Sequence, residues 1–225
     1  MPEGELEMKS ASGEEAAAFF NRFAYTFDTL YDEQRGWLSR WVDRRFRGDM
    51  FIRFERTFEQ FGDLTGQSVL DIGCGSGPYM LEALRRGARM VTGLDPAPNM
   101  LRLAHQRLAR AGFSNRYQLL ESMFPGPELE PHDSVIVMGV LDYVFDAQAF
   151  MLAMRLLTKR RAAVSFPSRH WLRTPLRKFR YRMRRCPVYF YDELEIRQLS
   201  GNAGFDMTEL YKIPGAGMDF HVVLM

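Results

Sequence analysis

The segment from Ser68 to Gly77, with the sequence SVLDIGCGSG, places a short apolar strand directly before three closely spaced glycines. Glycine leaves out the side chain where the backbone must turn sharply or come close to a ligand, and it adopts positive φ without strain. A helix is predicted to begin near Pro78, because proline is favoured in the first turn of a helix. The free N–H groups at the start of that helix point toward the same space. The segment therefore predicts a strand, a ligand-binding turn and a helix in succession.

A second acid, Asp95, ends a second apolar segment, Met90–Leu94. A carboxylate at the end of the second strand can hold the two hydroxyls of a ribose. A dinucleotide fingerprint, G-x-G-x-x-G, would require glycine at position 78, where this chain has proline. The pattern D-x-G-x-G-x-G fits instead, with its fixed positions at Asp71, Gly73, Gly75 and Gly77. Together these features predict a nucleoside cofactor site.

At these residues the chain resembles the class I S-adenosylmethionine (SAM)-dependent methyltransferases, whose first motif has this form. The resemblance covers Ser68 to Met225 in order. It implies an α/β fold, a Rossmann-like seven-stranded sheet with helices on both faces and an N-terminal helical lid. It also implies SAM as the cofactor and S-adenosylhomocysteine (SAH) as its product, with the glycine turn against the methionyl part and Asp95 on the ribose. The residues that the resemblance and the motif positions assign to cofactor binding are Tyr25, Asp71, Gly73, Cys74, Gly75, Gly77, Asp95, Pro96, Met100, Ser122, Met123, Met138 and Gly139.

Hydrophobic periodicity predicts the remaining organisation of the chain. We expect a loose polar tail over residues 1–12, an aromatic-rich helical lid over 13–62 and the SAM-binding domain over 63–225. Within that domain the predicted strands after Asp95 are Tyr117–Leu120, Asp133–Val140, Ala162–Phe166, Met207–Ile213 and Met218–Leu224. The predicted helices are Pro96–Gly112, Ala147–Leu157 and Asp192–Ala203.

A basic insert at residues 168–190 separates the predicted fifth strand from the Asp192 helix. It carries eight Arg or Lys and no acid, so the other residues hold a net charge of about −6, from +2 minus +8. Its arginines suit a solvated face paired with acids, a clamp for a phosphate or carboxylate, or docking on an anionic membrane surface. Nucleic acid is the least favoured partner, because the D/N-P-P-Y/F/W signature of amino-methylating DNA enzymes is absent. The residues predicted to bind substrate are Tyr31, Arg169, Arg173, Arg177, Tyr189 and Tyr191.

The predicted reaction is methyl transfer to a small anionic or lipid-like acceptor, with oxygen favoured over nitrogen or carbon. If a base is needed, the motif position favours Asp142 and Tyr143, followed by His170 from the basic insert. The alternatives are an NAD-dependent oxidoreductase and a non-catalytic partner protein with the SAM fold. No metal site is expected, because the four histidines show no ligand spacing.

The expected location is the cytoplasm. The two cysteines lack the pattern of a disulfide framework, and the sequence has no apolar run of about 18–20 residues that would span a membrane. The oligomeric state is left open.

Overall fold

The computed structural model describes residues 17–18, 21, 50–169, 188–214 and 219–225. Its strands are β1 (Ser68–Ile72), β2 (Met90–Asp95), β3 (Tyr117–Glu121), β4 (His132–Val137), β5 (Thr158–Phe166), β6 (Met207–Lys212) and β7 (Phe220–Leu224). Its helices are α1 (50–61), α2 (Pro78–Arg85), α3 (Pro98–Arg110), α4 (Ala147–Leu157) and α5 (Glu193–Asn202). Residues 17, 18 and 21 are also helical.

The strands form one sheet in the order β3-β2-β1-β4-β5-β7-β6. The first five run parallel, and β7 pairs antiparallel with both β5 and β6. The chain order reverses direction beside β1, so the carboxyl ends of β1 and β4 lie together at a switch point, where such sheets bind ligands. This confirms the predicted Rossmann-like sheet of seven strands.

Two strand boundaries differ from the prediction by about three residues or more. β4 ends at Val137 rather than Val140, because Gly139 has φ of +73° and cannot continue an extended strand. β5 begins at Thr158 rather than Ala162. Here His132 pairs with Thr158 and Ser134 with Arg161, so a bulge adds one residue to β5 and leaves Lys159 and Arg160 exposed. The start of β5 was therefore missed because its first residues include two exposed charged side chains.

Each face of the sheet carries its own apolar core. One core lies under α4 and α5, and its largest buried side chains include Leu70, Ile72, Phe150 and Phe166. The other lies under α1, α2 and α3, and includes Phe58, Phe61, Met80 and Leu108. Helices therefore cover both faces, as predicted. No helix among the described segments has the length and apolarity needed to cross a bilayer.

Helix α1, the described end of the predicted lid, packs into the second core. The Phe54 ring lies 5.0 Å from that of Phe58 and 5.1 Å from that of Tyr79 on α2. Arg161 on β5 donates to the backbone oxygens of Gln60 and Phe61 and holds the end of the helix. Of the predicted tail and lid, residues 1–16, 19–20 and 22–49 lie outside the described segments.

Candidate functional site

The glycine turn is bonded to the end of β2. The backbone N–H groups of Gly73 and Cys74 both donate to the Leu94 oxygen, at 2.7 and 3.0 Å. All three glycines of the turn have positive φ, at +73°, +52° and +76°. A Cβ on Gly73 would overlap the Val140 side chain, whereas a Cβ on Gly75 would meet nothing within 4 Å. The backbone at Gly75 therefore borders open space, which is where a ligand can approach.

Asp95 is held directly against this turn. Its Oδ2 accepts the Gly75 N–H and its Oδ1 accepts the Ala97 N–H, both at 2.9 Å. Burial raises the pKa of Asp95, while these two amide hydrogen bonds act in the opposite direction. A carboxylate offers about four acceptor positions, so two stay available for hydroxyl groups. Asp95 is thus fixed in place with acceptor capacity to spare, as a ribose site requires.

Asp71, at the end of β1, is buried, with 2% of its surface exposed. Its Oδ2 has no hydrogen-bond partner among the described residues. Burial and the neighbouring charge of Asp95 raise the pKa of Asp71 to about 8. A cationic group beside it would favour the ionised form and satisfy the orphan oxygen. Because SAM carries an ammonium and a sulfonium, the donor set of this site fits that cofactor.

The other described residues with a predicted cofactor role follow the carboxyl ends of neighbouring strands. After β2 come Pro96 and Met100, the latter 5% exposed. After β3, Ser122 donates its N–H to the backbone oxygen of Asp95 at 3.3 Å, and Met123 is exposed. After β4 come Met138 and Gly139. Tyr25 lies outside the described residues.

Two contacts made by α3 near the glycine turn and the N-terminal segment had not been predicted from the sequence. Arg107 Nη1 on α3 donates to the backbone oxygen of Ser76 at 2.6 Å and to its Oγ at 2.8 Å. Asn99, near the start of α3, donates its backbone N–H to Asn21 Oδ1 and its side-chain Nδ2 to the Asn21 backbone oxygen, both at 3.0 Å. The inward position of Arg107 could have been predicted from the sequence, because Arg107 lies one turn after Leu103 on the apolar face of α3.

The turn after β4 carries the candidate catalytic residues Asp142 and Tyr143. Tyr143 donates its N–H to the Val140 oxygen at 2.9 Å, which closes the turn. Asp142 is buried at 6% exposure, and its backbone oxygen accepts the Tyr189 N–H at 2.8 Å. The end of the basic insert therefore lies across this turn. His170 is outside the described residues.

Both ends of the basic insert are bonded to each other. Ser168 and Tyr191 form a parallel bridge, the Arg169 N–H donates to the Tyr191 oxygen at 3.2 Å, and the Tyr191 N–H donates to the Pro167 oxygen at 2.8 Å. The Tyr191 hydroxyl also donates to the Leu141 oxygen at 3.3 Å. Burial is the main cause of a raised pKa at Tyr191, so this phenol stays protonated.

A cavity of about 770 Å³ lies beside the turn that follows β4. Its lining includes Arg169, Tyr189 and Tyr191, which are the described members of the predicted substrate set, together with other residues of the α4 and α5 region: Phe145, Asp146, Ala147, Gln148, Val188, Phe190, Glu195, Gln198, Leu199 and Asn202. No residue of the glycine turn lines the cavity, so the cavity is separate from the predicted cofactor site. Arg169 is paired at 2.6 Å with Glu195 and at 3.6 Å with Asp192. Tyr31, Arg173 and Arg177 lie outside the described residues.

Comparisons with known proteins agree with this geometry. Residues 69–160 match the family described as a methyltransferase domain. A tRNA U34 carboxymethyltransferase of Klebsiella pneumoniae is 36% identical over 101 residues, which cover 44% of this chain and 30% of that protein. The chain thus spans about a third of the length of the curated relatives it matches.

Solved structures resemble the chain over nearly its full length. The magnesium protoporphyrin IX methyltransferase of Synechocystis with bound SAH has a TM-score of 0.78 at 22% identity, with 95% of this chain and 97% of that one covered. The same protein with bound SAM has a TM-score of 0.74 at 20% identity, with 95% of each chain covered. The fold, the glycine motif and the matching residues lead to one conclusion: residues 69–160 form a methyltransferase domain, in a chain that has the fold of the class I SAM-dependent methyltransferases.

Proposed function

We propose that this protein transfers a methyl group from SAM to a small anionic or lipid-like acceptor, preferably to an oxygen atom. The observation that carries the proposal is the 770 Å³ cavity beside the turn that holds Asp142, which is separate from the glycine turn and large enough for a second organic molecule. Ligand pockets commonly have about 300–1,000 Å³. A two-substrate transfer requires one site for a cofactor and another for an acceptor.

On the cofactor side, Asp95 and the backbone of Gly75 would hold the nucleoside, and Asp71 would face the charged amino-acid end. When bound, SAM supplies a methyl group on a sulfonium, which is electrophilic without further activation. The task left to the chain is to align the two ligands and exclude water. The glycine turn and the Asp95 carboxylate suit that task because hydrogen bonds with the backbone fix both of them before a ligand binds.

On the acceptor side, the rings of Phe145 and Tyr189 meet edge to face with centroids 6.1 Å apart and supply an apolar wall. Arg169 and Val188, which flank residues 170–187, both line the cavity. Those 18 residues contain seven Arg or Lys and no Asp or Glu. The cavity is therefore lined by the two residues that border the most basic stretch of the sequence, which favours an acceptor with a carboxylate or phosphate.

Asp142 is the proposed general base for a hydroxyl acceptor. It lies in the turn after β4, and the Tyr189 N–H holds its backbone oxygen, so its position relative to the cavity wall is fixed. Tyr143 and His170 remain further proposals for the same role. A carboxyl acceptor would need no base, because it is already ionised at neutral pH.

A second candidate acceptor is RNA, which the names of the curated relatives suggest. The same basic stretch would then contact phosphates. A cytoplasmic location is part of the proposal in either case and fits the buried free thiol of Cys74.

Titration calorimetry with SAH tests the cofactor half. We expect the wild-type protein to bind SAH and Asp95→Ala to lose about 100-fold or more in affinity, since a charged acceptor pair is removed from a buried site. Asp63→Ala is the matched control, because Asp63 is exposed and bonds only locally to Thr65. Binding of NAD instead of SAH would contradict the proposal and support an oxidoreductase.

Transfer of a labelled methyl group from SAM tests the acceptor half. The panel comprises aromatic carboxylates, amphiphilic phosphates and unmodified tRNA. We expect transfer to a small anion, with the KM for that acceptor raised about tenfold in the double variant Arg173→Glu and Arg177→Glu. The double variant Lys159→Glu and Arg160→Glu, an equal charge reversal at two exposed sites on β5, is the control. Transfer to tRNA alone would replace the small acceptor by RNA, and SAH binding without any transfer would support a non-catalytic partner protein.

A further inference from the structure

Ser165 joins three elements through a single hydroxyl. It lies near the carboxyl end of β5 and is 1% exposed. Its Oγ accepts the backbone N–H of Gly139 at 2.8 Å and a hydrogen from Arg53 Nη1 at 3.3 Å. The serine side chain thus connects α1 and β5 with the segment that leaves β4.

Gly139 needs such a partner because the sheet no longer sets its backbone. The pairing of β4 with β5 ends at Val137 and Val164, two residues before Gly139. The φ of Gly139 is +73°, and a Cβ there would meet nothing within 4 Å, so neither the ladder nor packing on that side holds this residue. The Ser165 hydroxyl takes the place of a strand partner and fixes the direction of the Gly139 N–H.

We propose that Ser165 is a positioning residue, which orients the Gly139 backbone for cofactor binding and sets the course of the turn toward Asp142. The inference rests on the proposed function, because Gly139 and Asp142 are placed there in the cofactor and acceptor sites. Arg53 adds a second link to the same oxygen. It also lies 3.7 Å from Asp219 at the start of β7, so α1 is bonded to the edge of the sheet where the sites lie.

A purely structural role would make Ser165 equivalent to any other buried serine of these two strands. Ser134 offers that comparison. It lies on β4 at the opposite end of the same strand pair, is 0% exposed, and its Oγ contacts Gln67 Oε1 and Arg161 Nε, both at 3.4 Å. Replacing Ser134 removes a comparable buried hydroxyl and leaves Gly139 untouched.

The test compares SAH affinity by calorimetry in wild type, Ser165→Ala, Ser165→Thr and Ser134→Ala, with amide hydrogen exchange at Gly139 as a second measurement. We expect Ser165→Ala to weaken SAH binding about tenfold and to speed exchange at Gly139, since a partly buried N–H loses its acceptor. Ser165→Thr keeps the hydroxyl and should recover most of the affinity. Ser134→Ala should bind as the wild type does.

Wild-type affinity in Ser165→Ala would overturn the inference, and so would an equal loss in Ser134→Ala or no recovery in Ser165→Thr. Urea unfolding of each variant establishes that the compared proteins are folded. A wild-type protein that binds SAH but methylates no acceptor would contradict the proposed function, and this comparison would still give its own answer.

Discussion

Asp71 and Asp95 end neighbouring strands as two buried acids, and burial together with the charge of Asp95 raises the pKa of Asp71 to about 8. The native state therefore keeps a proton on Asp71 that the unfolded chain releases near pH 4. The stability that depends on this proton is full below about pH 4 and is lost as the pH rises through about 8.

The first prediction is that Asp71→Asn removes this pH dependence. Its free energy of unfolding should increase relative to wild type between about pH 6 and about pH 9, since Asn carries no charge to bury. Urea unfolding at both pH values measures the difference. Asp63→Asn, on the exposed loop before β1, should follow the wild type, and a constant difference for Asp71→Asn would contradict the assignment.

The second prediction concerns the glycine turn. Gly73→Ala combines a positive φ with overlap against Val140, so it should destabilise the protein by about 2 kcal/mol or more and abolish SAH binding. Gly112→Ala has a similar φ, +84°, but nothing lies within 4 Å of its Cβ. It should cost only about 1 kcal/mol and retain SAH affinity. Equal SAH affinity in the two variants would contradict a ligand role for the turn.

The third prediction concerns His221, which is fully buried on β7 with its Nε2 3.0 Å from Thr57 Oγ1. Burial, and then the charges of Arg56 and Arg53, lower its pKa to about 4, while the Glu209 carboxylate lies 3.9 Å from Nδ1. Its folded pKa is below the unfolded value, so stability is lost as the pH falls from about 6.5 to about 4.

Urea unfolding of His221→Gln between about pH 7 and about pH 4.5 checks this sign, because glutamine cannot take up the proton. The variant should lose less stability than the wild type over that interval. His105→Gln, which changes an exposed imidazole bonded to the Tyr117 hydroxyl, is the matched control.

The fourth prediction concerns Arg161, which bonds the last two carbonyls of α1 and lies over the Phe61 ring at 4.9 Å. Arg161→Ala should lower the free energy of unfolding by about 2 kcal/mol, since it leaves helix-terminal carbonyls without their donor. Arg160→Ala, at the exposed neighbouring position, should change it by less than about 0.5 kcal/mol. Chemical unfolding of both variants would decide, and equal losses would contradict the anchoring role.

Most of the sheet could be predicted from the sequence because its strands are buried runs bounded by glycines and acids. Asp71, Asp95 and the glycine turn followed from spacing alone, since the backbone conformation of that turn depends on nearby residues. The starts of β4 and β5 were predicted too late, because His132 and the Lys159–Arg161 stretch are polar and the bulge breaks the period of two.

The contacts that hold the site in place could not be predicted in the same way. Ser165 meets Gly139 across 26 positions and Arg53 across 112. Nothing in a serine within an apolar strand distinguishes it from Ser134, which lies on the next strand of the sheet. Only the assembled sheet shows which of the two hydroxyls faces the turn after β4.

The bonds that join Pro167 and Arg169 to Tyr191 have a consequence for how this enzyme class can diversify. They hold the residues on either side of 170–187 together, and all seven strands lie outside that segment of the sequence. The entropic cost of a closed loop rises only slowly with its length, by about 0.6 kcal/mol for each doubling. A segment of another length and charge could therefore be grafted between residues 169 and 188, and under the proposed function such an exchange would alter the acceptor preference without altering the glycine turn.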